Sequence, residues 1–186
     1  MKTKTSFLVL MLGFILSVNG QIPTDGLVGY WPFNGNANDE SGNNNHGVVF
    51  GATLTYDRFG NLNSAYKFDR NYIAVSDTSL FDFTNNNNLS LCAWFRNTAG
   101  DVEYGQGIIA KNRDDGGTRC GIQFSNSSVV IPGLLFCINN GGGVQSCLLI
   151  RDDVYAQGWH FVIGTYDCSK QKLYMDGILV DSANVN

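Results

Sequence analysis

The strongest constraint on the fold is an Asp-Gly pair, Asp176-Gly177, that separates two short apolar runs. A two-residue turn of type I′ needs positive φ at both central positions, and Asp followed by Gly supplies this at low cost. The flanking runs, residues 171–175 and 178–180, are of strand length and carry alternating or β-branched side chains. The pair therefore predicts a β-hairpin, and with it an antiparallel sheet.

A second hairpin is predicted directly before the first. Residues 160–166 are rich in β-branched and aromatic types, and residues 167–170 carry turn chemistry. The order Trp-His-Phe-Val at 159–162, Thr-Tyr-Asp at 165–167 and Leu-Tyr-Met-Asp-Gly at 173–177 resembles the central signature of laminin-G-like domains. The resemblance implies a concanavalin A-like jelly-roll sandwich.

The rest of the chain reads as short strands with turns at regular intervals, which favours an all-β antiparallel sandwich. Residues 26–33 are predicted as the first strand, with Trp31 and Phe33 directed into the core. Residues 48–54 are predicted as a second strand and residues 64–75 as a hairpin over 69–71. Residues 89–96 are apolar on both faces and are expected near the middle of a sheet. A meander is predicted over residues 119–124, 134–138 and 146–150.

The chain has 186 residues, enough for one domain. Residues 1–20 resemble a secretory signal, with Lys2 and Lys4 before an apolar run and a cut expected ahead of Gln21. The predicted domain is residues 21–186. Laminin-G-like domains continue to a further strand, so the resemblance implies that this chain lacks its last strand or strands and is part of a longer, multidomain protein.

Charge disfavours a nucleic-acid partner. Without Lys2 and Lys4 the chain has 10 basic against 16 acidic residues, a net charge of −6. Nucleic-acid binding depends on clustered Lys and Arg, which this composition does not provide. After removal of the signal, no segment is expected to span a membrane.

Export permits disulfides, and an odd count of five cysteines leaves at least one outside any internal bridge. If residues 139–144 form a hairpin loop, Cys137 and Cys147 lie opposite each other, and this pair is preferred. If residues 125–133 reverse the chain, Cys120 can face Cys137 instead. The spacings do not resemble a zinc site.

A loop at residues 34–47 is the predicted metal site. Asp39, Ser41 and Asn43 alternate, so their oxygens can converge with backbone carbonyls into the hard oxygen shell that calcium prefers. Similar domains hold calcium here, with the Asp of an Asp-x-Ser-Gly pattern as a ligand, and residues 39–42 fit that pattern. The alternative is a solvated turn in which Asn and Asp bond their own backbone.

The sequence offers little for catalysis. The two glutamates, Glu40 and Glu103, lie in predicted loops and do not form the carboxylate pair that glycoside hydrolysis needs. His46 falls in the Asn-rich loop. His160 lies on a predicted strand, where a structural hydrogen bond is the preferred interpretation. No catalytic residues are assigned.

Binding is the function that remains. Loop aromatics include Tyr56, Phe59, Tyr104 and Tyr155. Tyr104, Arg113 and Asp114 lie on loops that approach one another if their flanking strands pair, and they are the predicted ligand-binding residues. Aromatic side chains in a sandwich are also often core residues, which is the competing interpretation.

The sequence therefore predicts a non-catalytic recognition module, secreted or held at the cell surface, that binds a glycan or an extracellular protein and is stabilised by calcium. Two alternatives stay open. One is an accessory domain of a secreted glycoside hydrolase or other enzyme whose catalytic part lies elsewhere. The other is a structural adhesin or spacer domain. The step from sandwich to binding depends on the resemblance, because this fold hosts many functions.

Overall fold

The computed structural model describes residues 22–76, 88–98, 106–112, 118–125, 133–139, 145–150 and 158–185. Every regular element in these ranges is a β-strand, and they contain no helix that is long and apolar enough to cross a membrane. The predicted signal lies outside them. The strands are β1 Gly47–Phe50, β2 Thr53–Thr55, β3 Ala65–Lys67, β4 Tyr72–Val75, β5 Leu89–Phe95, β6 Gly107–Asn112, β7 Thr118–Ser125, β8 Gly133–Asn139, β9 Gln145–Ile150, β10 His160–Tyr166, β11 Lys170–Met175 and β12 Ile178–Asn184.

Two four-stranded sheets form the larger part of the described structure. The front sheet has the strand order β12-β11-β10-β5, and the back sheet has the order β6-β7-β8-β9. Two smaller sheets pair β1 with β4 and β2 with β3. Neighbouring strands are antiparallel in all four sheets. The predicted all-β antiparallel sandwich is confirmed.

The front and back sheets enclose the hydrophobic core. Alternate residues of β10 point inwards, and Val162 and Tyr166 are buried. Between them lies Gly164, where an added Cβ would be 2.5 Å from the ring of Phe136 on the back sheet. The ring therefore fills the space that a side chain would need. The other buried core residues are Leu89, Phe95, Cys120, Ile122, Phe124, Leu134, Ile138, Leu148, Ile150, Leu173 and Met175.

Polar side chains also join the two sheets, between β9 and the strands β11 and β12. Gln171 of β11 is fully buried, and its Oε1 accepts a hydrogen bond from the hydroxyl of Ser146 on β9. Its Nε2 donates to the carbonyl of Ser146 at 3.3 Å. The backbone N–H of Leu149 donates to the carboxylate of Asp181 on β12 at 3.1 Å. These bonds satisfy polar groups that burial would otherwise leave unpaired.

A disulfide joins Cys137 of β8 to Cys147 of β9. The two residues are direct cross-strand partners, with Cα atoms 4.1 Å apart. This is the pair that the sequence favoured. Cys120, the alternative partner, lies opposite Ile138 and is buried in the core, so its side chain is on the other face of the sheet from Cys137.

The prediction of a first strand at residues 26–33 is wrong. Its backbone is bonded by loop side chains instead of a neighbouring strand: Asn43 Nδ2 donates to the carbonyl of Leu27 at 2.8 Å, and Asn45 Nδ2 donates to that of Val28 at 2.8 Å. Trp31 and Phe33 are half-buried and lie outside the core. Trp31 Nε1 donates to the carbonyl of Asn45 at 2.8 Å.

The predicted hairpin over residues 69–71 is also wrong, because β3 and β4 do not pair with each other. Gly51, with φ of 79°, divides the predicted strand at residues 48–54 into β1 and β2. Each half then takes its own partner, β1 with β4 and β2 with β3. The result is a β2–β3 hairpin flanked by the β1–β4 pair.

The expectation that residues 89–96 lie mid-sheet is likewise wrong for the described strands. There β5 pairs with β10 alone and ends the front sheet. β5 is apolar on both faces, although only one face is buried. Leu89 and Phe95 point into the core, whereas Trp94 points outwards and is 44% exposed.

We predict that Gly164→Ala destabilises the domain by about 1–3 kcal/mol, because the new methyl group overpacks the core against Phe136. Urea unfolding of the full chain measures the change. Gly107→Ala is the matched control, since a Cβ there meets its nearest neighbour at 3.5 Å. An unchanged unfolding midpoint in Gly164→Ala would contradict the described packing of the two sheets.

Candidate functional site

The predicted metal loop is organised by Asp39, whose side chain is almost fully buried. Its Oδ1 accepts hydrogen bonds from the backbone N–H groups of Tyr30 and Ser41, both at 2.9 Å. Its Oδ2 accepts from the hydroxyl of Ser41 at 2.8 Å and from the N–H of Asn45 at 2.9 Å. Four donors therefore surround one carboxylate.

The structure brings the three predicted metal ligands together. Asn43 Nδ2 donates to Ser41 Oγ at 3.1 Å, and that hydroxyl donates to Asp39. The described residues contain no group of three or more His, Cys, Asp and Glu side chains that could hold a metal ion. A calcium ion would have to replace some of the four donors around Asp39. Calcium binding at this loop stays a prediction. The alternative is a turn held by its own hydrogen bonds, which accounts for the contacts around Asp39 without a metal ion.

The charge on Asp39 is stabilised by these contacts. Burial acts to raise its pKa, but the hydrogen bonds from Tyr30, Ser41 and Asn45 outweigh burial and lower the pKa from 3.8 to about 2. The pKa is lower in the folded state than in the unfolded chain. The resulting stabilisation is therefore complete above pH 3.8 and is lost as the pH falls towards 2.

We predict that Asp39→Asn lowers the free energy of unfolding at pH 7 by about 1–3 kcal/mol, because an NH₂ group must then face an N–H or O–H donor. Urea unfolding measures this, with the exposed Asp25→Asn as control. The wild type should also lose more stability than Asp39→Asn between pH 3.8 and 2. Equal acid sensitivity would contradict the assigned role of the carboxylate.

The same variant tests the calcium prediction. Calcium that binds the folded state must raise the unfolding midpoint by mass action. A rise that chelator reverses and Asp39→Asn removes would support the metal site, whereas an unchanged midpoint would leave only the turn.

The second polar cluster joins the Trp-His-Phe segment to the Asp-Gly turn. Asp176 and Gly177 have φ of 51° and 84°, as a type I′ turn requires. The Asp176 carboxylate contacts His160 Nδ1 at 2.8 Å and accepts from the N–H of Phe161 at 2.8 Å. Burial acts to raise the pKa of Asp176, but these hydrogen bonds outweigh it and hold the pKa below its usual value.

This cluster gives His160 the structural role expected from the sequence. Its Nε2 is buried and contacts no hydrogen-bond partner in the described ranges, so it is not bonded there to a serine or cysteine nucleophile. The geometry is that of a brace between β10 and the β11–β12 turn.

A third cluster lies on the outer face of the front sheet. Trp94 of β5 and Phe161 of β10 are cross-strand partners, and their rings stack with centroids 5.0 Å apart and planes at 26°. The guanidinium of Arg58 lies over the Trp94 ring at 4.5 Å and over the ring of Phe59 at 4.2 Å. We call Arg58, Phe59, Trp94 and Phe161 the aromatic surface.

The aromatic surface depends on a local turn in the β2–β3 loop. Asp57 accepts hydrogen bonds from the N–H groups of Phe59 and Asn61, both at 2.8 Å, and Gly60 has φ of 85°. This turn holds Phe59 outwards with 73% of its surface exposed. The Arg58 guanidinium makes no hydrogen bond or ion pair within the described ranges, so its donors are available to a ligand.

Sequence reasoning identified one member of the aromatic surface, Phe59, as a loop aromatic. It missed Trp94, since its strand was expected to be covered on both faces. The alternation of β5 was the available signal, because residues 89, 91, 93 and 95 fill one face and leave Trp94 on the other. The predicted binding residues Tyr104, Arg113 and Asp114 lie outside the described residues, and their role stays a prediction.

Residues 34–186 match a family described as Clostridium neurotoxin, N-terminal receptor binding. The chain belongs to this family. The match includes the β2–β3 loop, the front sheet and the back sheet. The receptor-binding family has a lectin-like β fold, which agrees with the sandwich that the laminin-G-like resemblance implied, although the match does not name laminin-G-like domains. No curated protein matches the chain.

Proposed function

We propose that this chain is a secreted, non-catalytic recognition module that binds a receptor at a cell surface through its aromatic surface. The observation that carries the proposal is that the Arg58 guanidinium lies over the exposed rings of both Phe59 and Trp94. Membership of a family named for receptor binding supports a binding role. The receptor chemistry is a glycan or a protein carrying one.

The composition of the aromatic surface fits recognition. Contiguous exposed apolar groups mark interaction sites, and Trp, Tyr and Arg dominate the energetics of binding surfaces. The described contacts also position the side chains before a ligand arrives. Trp94 is stacked on Phe161, and Arg58 rests on two rings, so little side-chain entropy remains to be lost on binding.

The polar clusters support a binding role over catalysis. The Asp39 carboxylate is occupied by four protein donors, and the Asp176 carboxylate is occupied by His160 and a backbone N–H. Both act as structural braces. The aromatic surface, in contrast, presents a cation and two exposed rings to solvent.

The test is binding of the full chain to an array of immobilised glycans and extracellular glycoproteins. We expect the wild type to be retained by at least one of them, and Phe59→Ala and Trp94→Ala each to weaken that binding at least about tenfold. The control is Ile178→Ala, which removes a side chain that is 68% exposed. Ile178 pairs with the inward-facing Met175, so it lies on the other side of the front sheet from the aromatic surface.

Two outcomes would overturn the proposal. Retention that neither aromatic variant weakens would move the site elsewhere, first to the loops of Tyr104 and Arg113. No retention on any glycan or glycoprotein would favour the spacer or the accessory-domain alternative.

A further inference from the structure

A small cleft lies at the junction between the end of β1 and the start of β2, beside the segment that connects β3 to β4. Its volume is about 250 Å³, below the usual range of drug-sized pockets, so it suits a small ligand. Its lining is polar and consists of Gly51, Thr53, Lys67, Asp69 and Asn71. None of these residues belongs to the Asp39 loop or to the aromatic surface.

The local sequence builds this cleft. Gly51 has φ of 79°, and a Cβ there would lie 2.7 Å from Asn71 Nδ2, so only glycine leaves room for that amide. The backbone N–H of Asp69 donates to Asn71 Oδ1. This bond fixes the orientation of the Asn71 side chain and turns its NH₂ group towards Gly51.

The polar groups of the cleft have unused bonding capacity. Across the described part of the chain, the side chains of Thr53, Lys67 and Asp69 form no hydrogen bond or ion pair. Lys67 and Asp69 line one cleft without pairing with each other. An ammonium, a carboxylate, a hydroxyl and an amide NH₂ are thus all available to a ligand.

We infer that the cleft binds one neutral sugar unit. Each sugar hydroxyl both donates and accepts, so neighbouring hydroxyls can accept from Lys67 and Asn71 while they donate to Asp69. A single charge on the ligand gains no net attraction in either sign, because Lys67 and Asp69 line the same cleft and one attracts whatever the other repels. The inference rests on the proposed function, which it deepens by naming a carbohydrate as the ligand class.

The cleft and the aromatic surface can be tested separately. They lie at opposite ends of the β2–β3 hairpin: Thr53 and Lys67 are cross-strand partners at the open end, and Arg58 and Phe59 lie in the closing loop. β2, which begins with Thr53 and leads to that loop, is three residues long, roughly 10 Å at about 3.3 Å per residue. The two sites share no residue, so a substitution in one leaves the contacts of the other intact.

The experiment titrates the full chain with methyl glycosides of glucose, galactose, mannose and N-acetylglucosamine, followed by ligand-observed NMR. We expect at least one to bind with millimolar affinity. Asp69→Asn should weaken that binding more than about tenfold, since a hydrogen bond to a charged acceptor is lost. Thr53→Val should weaken it less, and Asp25→Asn should leave it unchanged. The side chains of Thr53 and Asp69 are exposed, and unchanged unfolding midpoints would show that both cleft variants are folded.

Three results would overturn the inference: no neutral glycoside binds, binding is insensitive to Asp69→Asn, or methyl glucuronide or glucosamine binds more tightly than every neutral glycoside. If the chain is still retained on the array through Phe59 and Trp94, the cleft inference alone has failed. Loss of array binding in both cleft and aromatic variants would support the two sites together.

Discussion

The packing of Phe136 against Gly164 determines which side chains of the front sheet face outwards. Because this contact and its neighbours fill the space between the two sheets, the register of β5, β10 and β11 is fixed. A shift of one residue would turn every inward side chain to solvent. With Val162 and Phe95 committed to the core, Phe161 and Trp94 have to face outwards as cross-strand neighbours. The aromatic surface is thus a consequence of core packing.

Aspartates organise the turns around this framework. Asp39, Asp57, Asp167 and Asp176 each accept several hydrogen bonds within a few residues of a chain reversal, and the pKa of each is lowered. The chain is acidic, yet these four carboxylates serve as hydrogen-bond acceptors within the fold. Asp57 and Asp167 accept from donors two to four residues away, whereas the partners of Asp176 lie on β10. The same Asx chemistry makes a calcium loop and a simple turn look alike in sequence. Only the donor count at Asp39 shows that its oxygens are already occupied.

The sequence predicted the strands from β7 to β12 to within one or two residues, except that β12 runs further, to Asn184. There the signals are local, namely alternation within a strand and an Asp-Gly turn between strands. The N-terminal part failed because pairing is not local. Nothing in residues 64–75 indicates that β3 prefers β2 and β4 prefers β1, since that choice depends on the break at Gly51. Similarly, Asn43 and Asn45 replaced a strand partner for residues 26–33.

The same nonlocal pairing explains why the sequence did not predict the aromatic surface or the cleft. Arg58 contacts Trp94 because the β2–β3 loop reaches the front sheet, and Thr53 lies opposite Lys67 because β2 pairs with β3. Both contacts join residues that no motif links. The short strands of this region bury little of their own surface, which leaves Phe50, Phe59 and Tyr72 exposed. A region that contributes so little to the core can vary its surface at small cost to stability, which suits it to recognition.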